Sequence, residues 1–380
     1  MSVKPLFLFG TLRYAPLLDA VAGSTLATEP ATLADHAVTW AVDAGGSERR
    51  FPLCAPETGA SAEGVLVRPD EPAMARLDAY EQLWDYRPEP VSVQVAGRSV
   101  EALIYRPRAG LFTPDAPWSL SDWVASEGRL RTEVAHALML LVDRLPPAIV
   151  AERYPLLAGY VASRLRAADE NAPATLRHDA MPEDVALLAR EEPYARFFAV
   201  IEDRLRHRRF GGGMSETVLR AAFLMSDAVT VLPYDPVRDR VMVVEQFRAG
   251  PFARGDRNPW SIEAIAGRID AGEAPETAAR REAHEEAALD VATLHSAGRY
   301  YPSPGAVTEF LYNYIGIAAL PDDAAGIHGL EAEAEDIRSH VLPFEKLMDL
   351  IQSGEVTNGP LITSAYWLAL NRERLRQPSG

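Results

Sequence analysis

A chain of 380 residues is longer than most single domains, so two or three domains are expected. Its net charge of −16 argues against nucleic acid as a partner, because such binding depends on Lys and Arg replacing counterions. No apolar run approaches the roughly 20 residues of a membrane helix, and no signal peptide is recognisable. Cys54 is the one cysteine, so no disulfide forms within the chain and a cytoplasmic location is expected.

Residues 1–107 are predicted to be mostly β-structure. Short apolar or alternating runs bounded by turn residues indicate the strands Leu6–Phe9, Gly64–Arg68, Val91–Val95 and Val100–Tyr105. A short amphipathic helix is expected over residues 72–80, and Glu81 follows it directly. Two segments stand out for their chemistry, the loop Phe9-Gly10-Thr11-Leu12-Arg13 and the helix end Leu77-Asp78-x-Tyr80-Glu81.

Those two segments resemble the Y-G-(S/T)-L-R loop and the L-D-x-(Y/F)-E motif of γ-glutamylcyclotransferase-like (AIG2-like) domains. The resemblance implies a small β-barrel-like fold over residues 1–107, with Glu81 as the acid/base that forms 5-oxoproline. Phe9 replaces the tyrosine of the family loop. The alternative is therefore a non-catalytic pocket that senses a ligand and regulates the second domain, because folds are reused without their chemistry.

Residues 108–170 are predicted to form a helical appendage. Apolar side chains recur there at helical spacing over residues 118–126, 131–144 and 147–165. Residues 171–192 contain prolines and small polar side chains and are interpreted as a linker. The second domain is then expected over residues 193–380, with a first strand at residues 195–209.

The pattern richest in chemistry lies between Gly267 and Leu289. Pro275 suits the first position of a helix, because its fixed φ and missing N–H cost nothing there. On that helix Glu282, Glu285 and Glu286 stand at i, i+3 and i+4, so three carboxylates share one face. A divalent cation such as Mg²⁺ would offset their repulsion, since it prefers oxygen ligands. Glu273 and Arg281 are expected to pair.

The whole spacing resembles the signature box of the Nudix hydrolases, which implies an α/β/α sandwich for residues 193–380. The complete chain is thus a multidomain α+β protein. The family box ends with glycine where this chain has Ala288. If that position requires a positive φ, alanine costs on the order of 1 kcal/mol.

Several segments outside the box resemble bacterial ADP-ribose pyrophosphatases, in the same order and over nearly the full second domain. They are residues 213–218, 245–248, 259–267, 303–305 and 326–338. The chain is also similar to Nudix proteins associated with tellurite resistance. The resemblance implies Mg²⁺-dependent hydrolysis of ADP-ribose to AMP and ribose 5-phosphate, with Mn²⁺ as an alternative ion. Another nucleoside diphosphate sugar is the nearest rival substrate.

The resemblance also implies residue roles. The metal ligands would be the Ala266 carbonyl, Glu282, Glu285, Glu286 and Glu335. Glu333 would be the general base on a closing loop, with Glu282 and Glu285 as further catalytic groups. The substrate-binding positions would be Arg220, Arg248, Phe197, Glu309 and Gly305. For Arg248 a strand-end salt bridge, and for Phe197 a core position, are the alternatives.

The relatives imply one partner besides the small nucleotide substrate, which is a second copy of the chain. In a homodimer with swapped N-terminal strands of the Nudix domain, Arg220 and Phe197 would serve the partner's site. Neither nucleic acid nor a membrane is expected as a partner.

Overall fold

The computed structural model describes residues 4–43, 48–142, 144–196, 198–329 and 336–377. The chain divides into two compact units, Met1–Val161 and Ala162–Gly380. In the described ranges no helix is both long and apolar enough to cross a membrane.

The first unit is built on a closed β-barrel. Its strands are β1 (Leu6–Leu8), β2 (Thr28–Asp43), β3 (Glu48–Val67), β4 (Tyr86–Val95), β5 (Arg98–Pro107) and β6 (Phe112–Pro117). The order β3-β1-β5-β4-β2 closes on itself because β3 also pairs with β2, and β6 extends β2 at one end. Closure leaves these five strands without a free edge. The barrel-like fold predicted for the N-terminal domain is confirmed.

Helices cover one side of this barrel and extend beyond it. They are α1 (Ala15–Ala22), α2 (Glu71–Gln82), α3 (Leu120–Trp123), α4 (Arg129–Val142) and α5 (Pro147–Asp169), with a π-helical turn between α3 and α4. The Asp70 carboxylate caps α2 by accepting the Ala73 N–H at 2.9 Å. This cap fixes where α2 begins and therefore places Glu81 in its last turn.

The barrel interior holds the single cysteine. Cys54 lies on β3 and is 4% exposed, in a core with Phe7, Leu66 and Ile104. Burial raises the pKa of its thiol to about 11, which keeps the thiolate form scarce at neutral pH.

The second unit contains two sheets. Its first strands are β7 (Val185–Ala195), β8 (Ala199–His207), β9 (Val218–Leu224), β10 (Ala228–Asp235), β11 (Arg240–Phe247) and β12 (Trp260–Glu263). The others are β13 (Ile265–Arg268), β14 (Thr293–Tyr300), β15 (Leu311–Ile317), β16 (Ile327–His328) and β17 (Ile337–Pro343). β7, β8 and β9 form a three-stranded sheet. The remaining strands form a mixed sheet in the order β14-β15-β10-β11-β17-β16, with β12 paired to β11 and β13 to β10.

Helices pack on both faces of the mixed sheet. They are α7 (Pro275–Ala287), α8 (Phe344–Ser353) and α9 (Gly359–Arg376). The short helix α6 (Ala249–Arg254) follows β11 and buries none of its residues. Ala278, Ala279 and Ala283 of α7 pack on one face with Val229 and Val244. α8 and α9 pack on the opposite face, for example through side chains of the second apolar cluster. This arrangement is the predicted α/β/α sandwich.

Several element boundaries differ from those expected. β6 lies inside the stretch 108–170 predicted to be helical, and β7 begins at Val185, within the predicted linker 171–192. The strand expected at residues 195–209 is shorter, since β8 covers Ala199–His207. The boundary between the two compact units falls between Val161 and Ala162, within α5.

Candidate active site

The acidic helix α7 has the ends that its sequence predicts. It begins with Pro275 at the first position and stops at Ala288, whose φ of 50° and ψ of 33° are left-handed. The Ala288 N–H closes the helix by donating to the His284 carbonyl at 2.9 Å. Alanine therefore occupies the strained conformation that the family's glycine adopts without cost.

Gly267 allows the carboxylate of Glu282 to approach the backbone. A Cβ at position 267 would lie 1.9 Å from the Glu282 carboxyl carbon, so any side chain there would displace it. Glu282 is 9% exposed and lies on the face of α7 directed at β13. The glycine of the box is thus required for close approach, a demand independent of backbone φ.

Arg281 joins the loop before α7 to the acidic face of the helix. Its Nε and Nη2 donate to the two Glu273 oxygens at 3.1 and 3.0 Å, which is the predicted pair. Its Nη1 donates to Glu282 at 2.7 Å and to Glu285 at 2.9 Å. Burial opposes the charge of Arg281, but the Glu273 hydrogen bond and the Glu282 charge outweigh it and raise the pKa of the guanidinium. The cation therefore offsets the repulsion among these carboxylates.

Glu286 is hydrogen-bonded to a strand of the sheet. Its Oε2 accepts the Ala266 N–H at 3.1 Å, and the residue is 3% exposed. Ala266 lies on β13, opposite Thr230 of β10. Strand β13 and helix α7 thus bring Ala266, Glu282 and Glu286 together, and their role as metal ligands stays a prediction.

The donor chemistry of this group fits a hard divalent cation. Carboxylate oxygens stand on one helix face next to the backbone of Ala266, and such oxygens are the ligands Mg²⁺ prefers. Within the described ranges no three acidic, histidine or cysteine side chains converge on one point, and Arg281 lies between Glu282 and Glu285. The remaining predicted ligand, Glu335, falls outside those ranges, as do Glu333 and Phe197.

Arg248 makes the ion pair that was its alternative interpretation. Its Nε lies 3.2 and 3.1 Å from the two Glu263 oxygens, and its Nη2 donates to one of them at 2.7 Å. Glu263 is not among the predicted site residues, although the motif Pro259-Trp260-x-x-Glu263 contains it. The pair orients the guanidinium at the end of β11, where β12 runs alongside.

Glu309 lies close to the same group of charges. Burial raises the pKa of its carboxyl, while the positive charges of Arg268 and Arg248 lower it and Asp227 raises it further. The structure therefore brings Glu309 and Arg248, two of the predicted substrate-binding residues, into one electrostatic neighbourhood.

Arg220 and Gly305 belong to a second part of the unit. Arg220 lies exposed on β9, and its Nη1 donates to the Leu219 carbonyl at 2.8 Å. Gly305 lies in an exposed turn whose next residue, Ala306, accepts the Phe223 N–H of β9 at 2.8 Å. The three-stranded sheet and the turn around Gly305 are therefore joined by backbone hydrogen bonds.

Glu81 lies in the barrel unit, on the wall of a cavity of about 1040 Å³. The cavity is also lined by the loop Phe9–Leu12, as the predicted motif requires. Burial raises the pKa of the Glu81 carboxyl to about 8, so that it is largely protonated at neutral pH.

Comparison with known proteins matches a segment of each unit to a family. Residues 225–363 match the family described as NUDIX domain, and residues 6–125 match the family described as gamma-glutamyl cyclotransferase, AIG2-like. The ADP-ribose pyrophosphatase of Escherichia coli (strain K12) is 38% identical over 207 residues, which is 54% of this chain and 96% of the relative.

Two further relatives extend the comparison. The ADP-ribose pyrophosphatase of Haemophilus influenzae is 36% identical over 197 residues, covering 51% of this chain and 90% of the relative. A GDP-mannose pyrophosphatase of Salmonella arizonae is 32% identical over 152 residues, covering 40% of this chain and 78% of the relative.

Proposed function

The chain belongs to the Nudix hydrolases through its C-terminal domain, and we propose from this premise that it converts ADP-ribose to AMP and ribose 5-phosphate. The names of its relatives all describe one activity, the hydrolysis of the pyrophosphate of a nucleotide sugar. The observation that carries the proposal is the acidic face of α7, where Glu282 lies against Gly267 and Glu286 accepts from Ala266.

The acidic face of α7 has a definite role in this reaction. Glu282, Glu285 and Glu286 would hold Mg²⁺ or Mn²⁺ with the Ala266 carbonyl and Glu335. The ion, when bound, supplies charge neutralisation for the pyrophosphate and lowers the pKa of a bound water. Arg281 donates to Glu282 and to Glu273, and so fixes the position of the carboxylates relative to the loop that precedes α7.

The remaining side chains bind the substrate and move one proton. Arg248, oriented by Glu263, and Arg220 would contact phosphate oxygens, because guanidinium groups bind them bidentately. Phe197 would stack on adenine, and Glu309 and the Gly305 turn would contact the terminal ribose. Glu333 accepts a proton from the attacking water. The water oxygen bonds to one phosphorus, and the bond from that phosphorus to the oxygen bridging the two phosphates breaks. AMP and ribose 5-phosphate are the two products.

A comparison of substrates tests the proposal. Initial rates of AMP release from ADP-ribose and of GMP release from GDP-mannose are measured with Mg²⁺, with Mn²⁺ and after chelation. We expect ADP-ribose to have a kcat/KM at least about tenfold higher, and chelation to abolish both reactions. A higher kcat/KM for GDP-mannose would reassign the substrate, and activity that survives chelation would contradict the metal requirement.

The three-stranded sheet supports the proposal that the enzyme is a swapped homodimer. Six large apolar side chains on its strands are each about half exposed: Val185, Leu187, Leu188, Tyr194, Leu219 and Phe223. The strand register places Val185 and Leu187 on one face of the sheet and Tyr194, Leu219 and Phe223 on the other. Exposed apolar side chains in such numbers commonly mark a protein interface. A second copy of the same sheet is the partner that the dimer proposal requires.

Mixing two inactive variants tests the swap. If Arg220 serves the partner's site, Arg220→Ala and Glu282→Gln disable complementary sites. An equal mixture after subunit exchange should then regain about a quarter of wild-type activity, because half the dimers are mixed and carry one intact site. No regain, with exchange verified by a mass-tagged subunit, would place Arg220 in its own subunit's site or in none.

The role of Glu81 in the N-terminal domain needs a separate test. The predicted acid/base role requires release of 5-oxoproline from a γ-glutamyl amide, whereas a ligand-binding role requires none. The same intact protein can be assayed for both products, AMP and 5-oxoproline, in parallel.

A further inference from the structure

The cavity beside Glu81 is built from two sources. The barrel contributes the loop Phe9–Leu12 and the end of α2, which fall within the AIG2-like match over residues 6–125. Helices α4 and α5 contribute Arg131 and Tyr154, which lie beyond that match. The second wall is therefore a feature of this chain in addition to its AIG2-like part.

The barrel end of the cavity presents neutral hydroxyl groups. Tyr86 is 6% exposed and lines the cavity, and its hydroxyl finds no hydrogen-bond partner among the described residues. A buried polar group without a partner costs stability, so a ligand that completes the hydrogen bond is favoured. The Glu81 carboxyl, with its pKa raised to about 8 by burial, adds a second O–H donor.

The helical end presents an oriented phenol. Arg131 donates from Nη1 to the Tyr154 hydroxyl and from Nε to Glu127 at 2.9 Å. Because the Tyr154 oxygen accepts from a cation, its own hydrogen is directed elsewhere and becomes a stronger donor. Glu127 neutralises Arg131, so this end donates hydrogen bonds without a net charge.

The other charged side chain of the lining is also neutralised, and the rest of the wall is largely aromatic. Asp85 forms an ion pair with Arg108 at 3.0 Å. The Trp84 ring meets Tyr154 edge-on at 4.7 Å between centroids, and Phe51 meets Phe112 at 4.9 Å. Such rings favour a flat or apolar ligand body and offer nothing to solvate a full charge.

We propose that this cavity binds a small uncharged amide with an aromatic or other flat apolar body. One carbonyl oxygen accepts from Tyr154, and a second polar group reaches Tyr86 and Glu81. A zwitterionic amino acid head fits poorly, because Arg131 and Asp85 of the lining are already paired with Glu127 and Arg108, so two further charges would be buried. The inference concerns binding in the barrel unit alone and does not depend on the Nudix reaction.

Three probes with one body and different charges test the proposal on the full-length protein by isothermal titration calorimetry. They are N-acetylphenylalaninamide, N-acetylphenylalanine and free phenylalanine. We expect saturable one-to-one binding of the uncharged amide, at least about tenfold tighter than binding of the zwitterion. Equal or tighter binding of the zwitterion overturns the proposal, and so does the absence of saturable binding by the amide.

Two conservative variants locate the bound probe. Tyr154→Phe keeps the ring and removes the donor, and should weaken amide binding about fivefold to tenfold. Tyr160→Phe, on the same helix but not among the residues lining the cavity, should leave the affinity unchanged. Tyr86→Phe should weaken binding while the Tm stays the same or rises, since no hydrogen bond of the described structure is lost. Equal effects of Tyr154→Phe and Tyr160→Phe would contradict the assignment.

Discussion

Glutamates stand at the centre of both halves of this molecule, in opposite electrostatic surroundings. Glu81 lies on an aromatic-walled cavity of the barrel unit, where burial raises the pKa of its carboxyl to about 8. Glu282 is 9% exposed, yet Arg281 donates to it at 2.7 Å. Burial favours the neutral form of the first carboxyl, whereas the second has a guanidinium cation hydrogen-bonded to it.

The comparison teaches that burial alone does not define what a carboxyl can do. A neutral carboxyl can donate a hydrogen bond, whereas a carboxylate can bind a divalent cation. The two carboxyls differ in their neighbours. Glu282 lies beside the guanidinium of Arg281, and Glu81 lies on a cavity lined with aromatic rings. Variants that alter charge, space or backbone at each site therefore test the contrast.

The largest effect is expected from removing one charge on α7. Glu282→Gln keeps the side-chain shape but loses a metal-binding carboxylate, so kcat for AMP release from ADP-ribose should fall by at least about 100-fold. Glu276→Gln on the same helix is the control, since Glu276 instead accepts the Tyr314 hydroxyl at 3.1 Å. Similar losses in both variants would show that α7 tolerates no change, and an unaffected Glu282→Gln would remove Glu282 from the site.

A smaller effect is expected when the carboxylate is displaced without being removed. In Gly267→Ala the new Cβ would lie 1.9 Å from the Glu282 carboxyl carbon, which forces it away from β13. We expect about a tenfold loss of activity and about 1–3 kcal/mol of destabilisation from overpacking. Gly250→Ala is the matched control, because a Cβ there meets no atom within 4 Å. Full activity of Gly267→Ala would contradict the close approach.

Glu81→Gln should change the pH dependence of stability and leave ADP-ribose hydrolysis unaltered. The pKa of Glu81 is raised from 4.5 to about 8, so the folded state retains a proton that the unfolded state releases. The wild type should therefore lose free energy of unfolding, relative to the variant, as the pH rises from 4.5 to about 8. Denaturant unfolding of both proteins across that range measures it.

The same variant addresses the chemistry of the barrel. If Glu81 serves as a hydrogen-bond donor and not as an acid/base, neither protein releases 5-oxoproline from a γ-glutamyl amide. Release by the wild type that disappears in Glu81→Gln would instead establish cyclisation, and would also weigh against an uncharged ligand.

The smallest effect is expected at the end of α7. Ala288→Gly relieves a left-handed alanine with φ of 50° and should stabilise the Nudix domain by about 1 kcal/mol, or roughly 2–4 °C in Tm. Ala287→Gly, one residue earlier within the helix, should lower the Tm instead. A rise in Tm for both variants would show that φ at position 288 is not the cause.

The parts of the fold that were predictable are those fixed by local chemistry. Pro275 and the spacing of the α7 glutamates define a helix start and a charged face within one turn-and-helix segment. The positive φ at Ala288 follows from the same segment. By contrast, the ion pair of Arg248 and Glu263 depends on the pairing of β11 with β12, which brings together residues 15 positions apart.

Strands were the least predictable elements, for two physical reasons. β2 is interrupted by register shifts near Ala34 and Trp40, which break the alternation that marks a strand. β7 exposes Leu187 and Leu188 in succession, so its apolar residues do not identify a buried face and the segment resembles a linker. The residues 197 and 333–335, whose roles are implied by resemblance, stay predictions.

The solitary thiol inside the barrel makes one half of the protein separately observable. Cys54 is 4% exposed and its pKa is raised to about 11, so an alkylating reagent reaches it only when the barrel opens. The rate of labelling therefore reports the opening of the N-terminal unit alone, while nucleotide turnover reports the other. If a small molecule slows the alkylation of Cys54 and leaves nucleotide turnover unchanged, it binds the N-terminal unit.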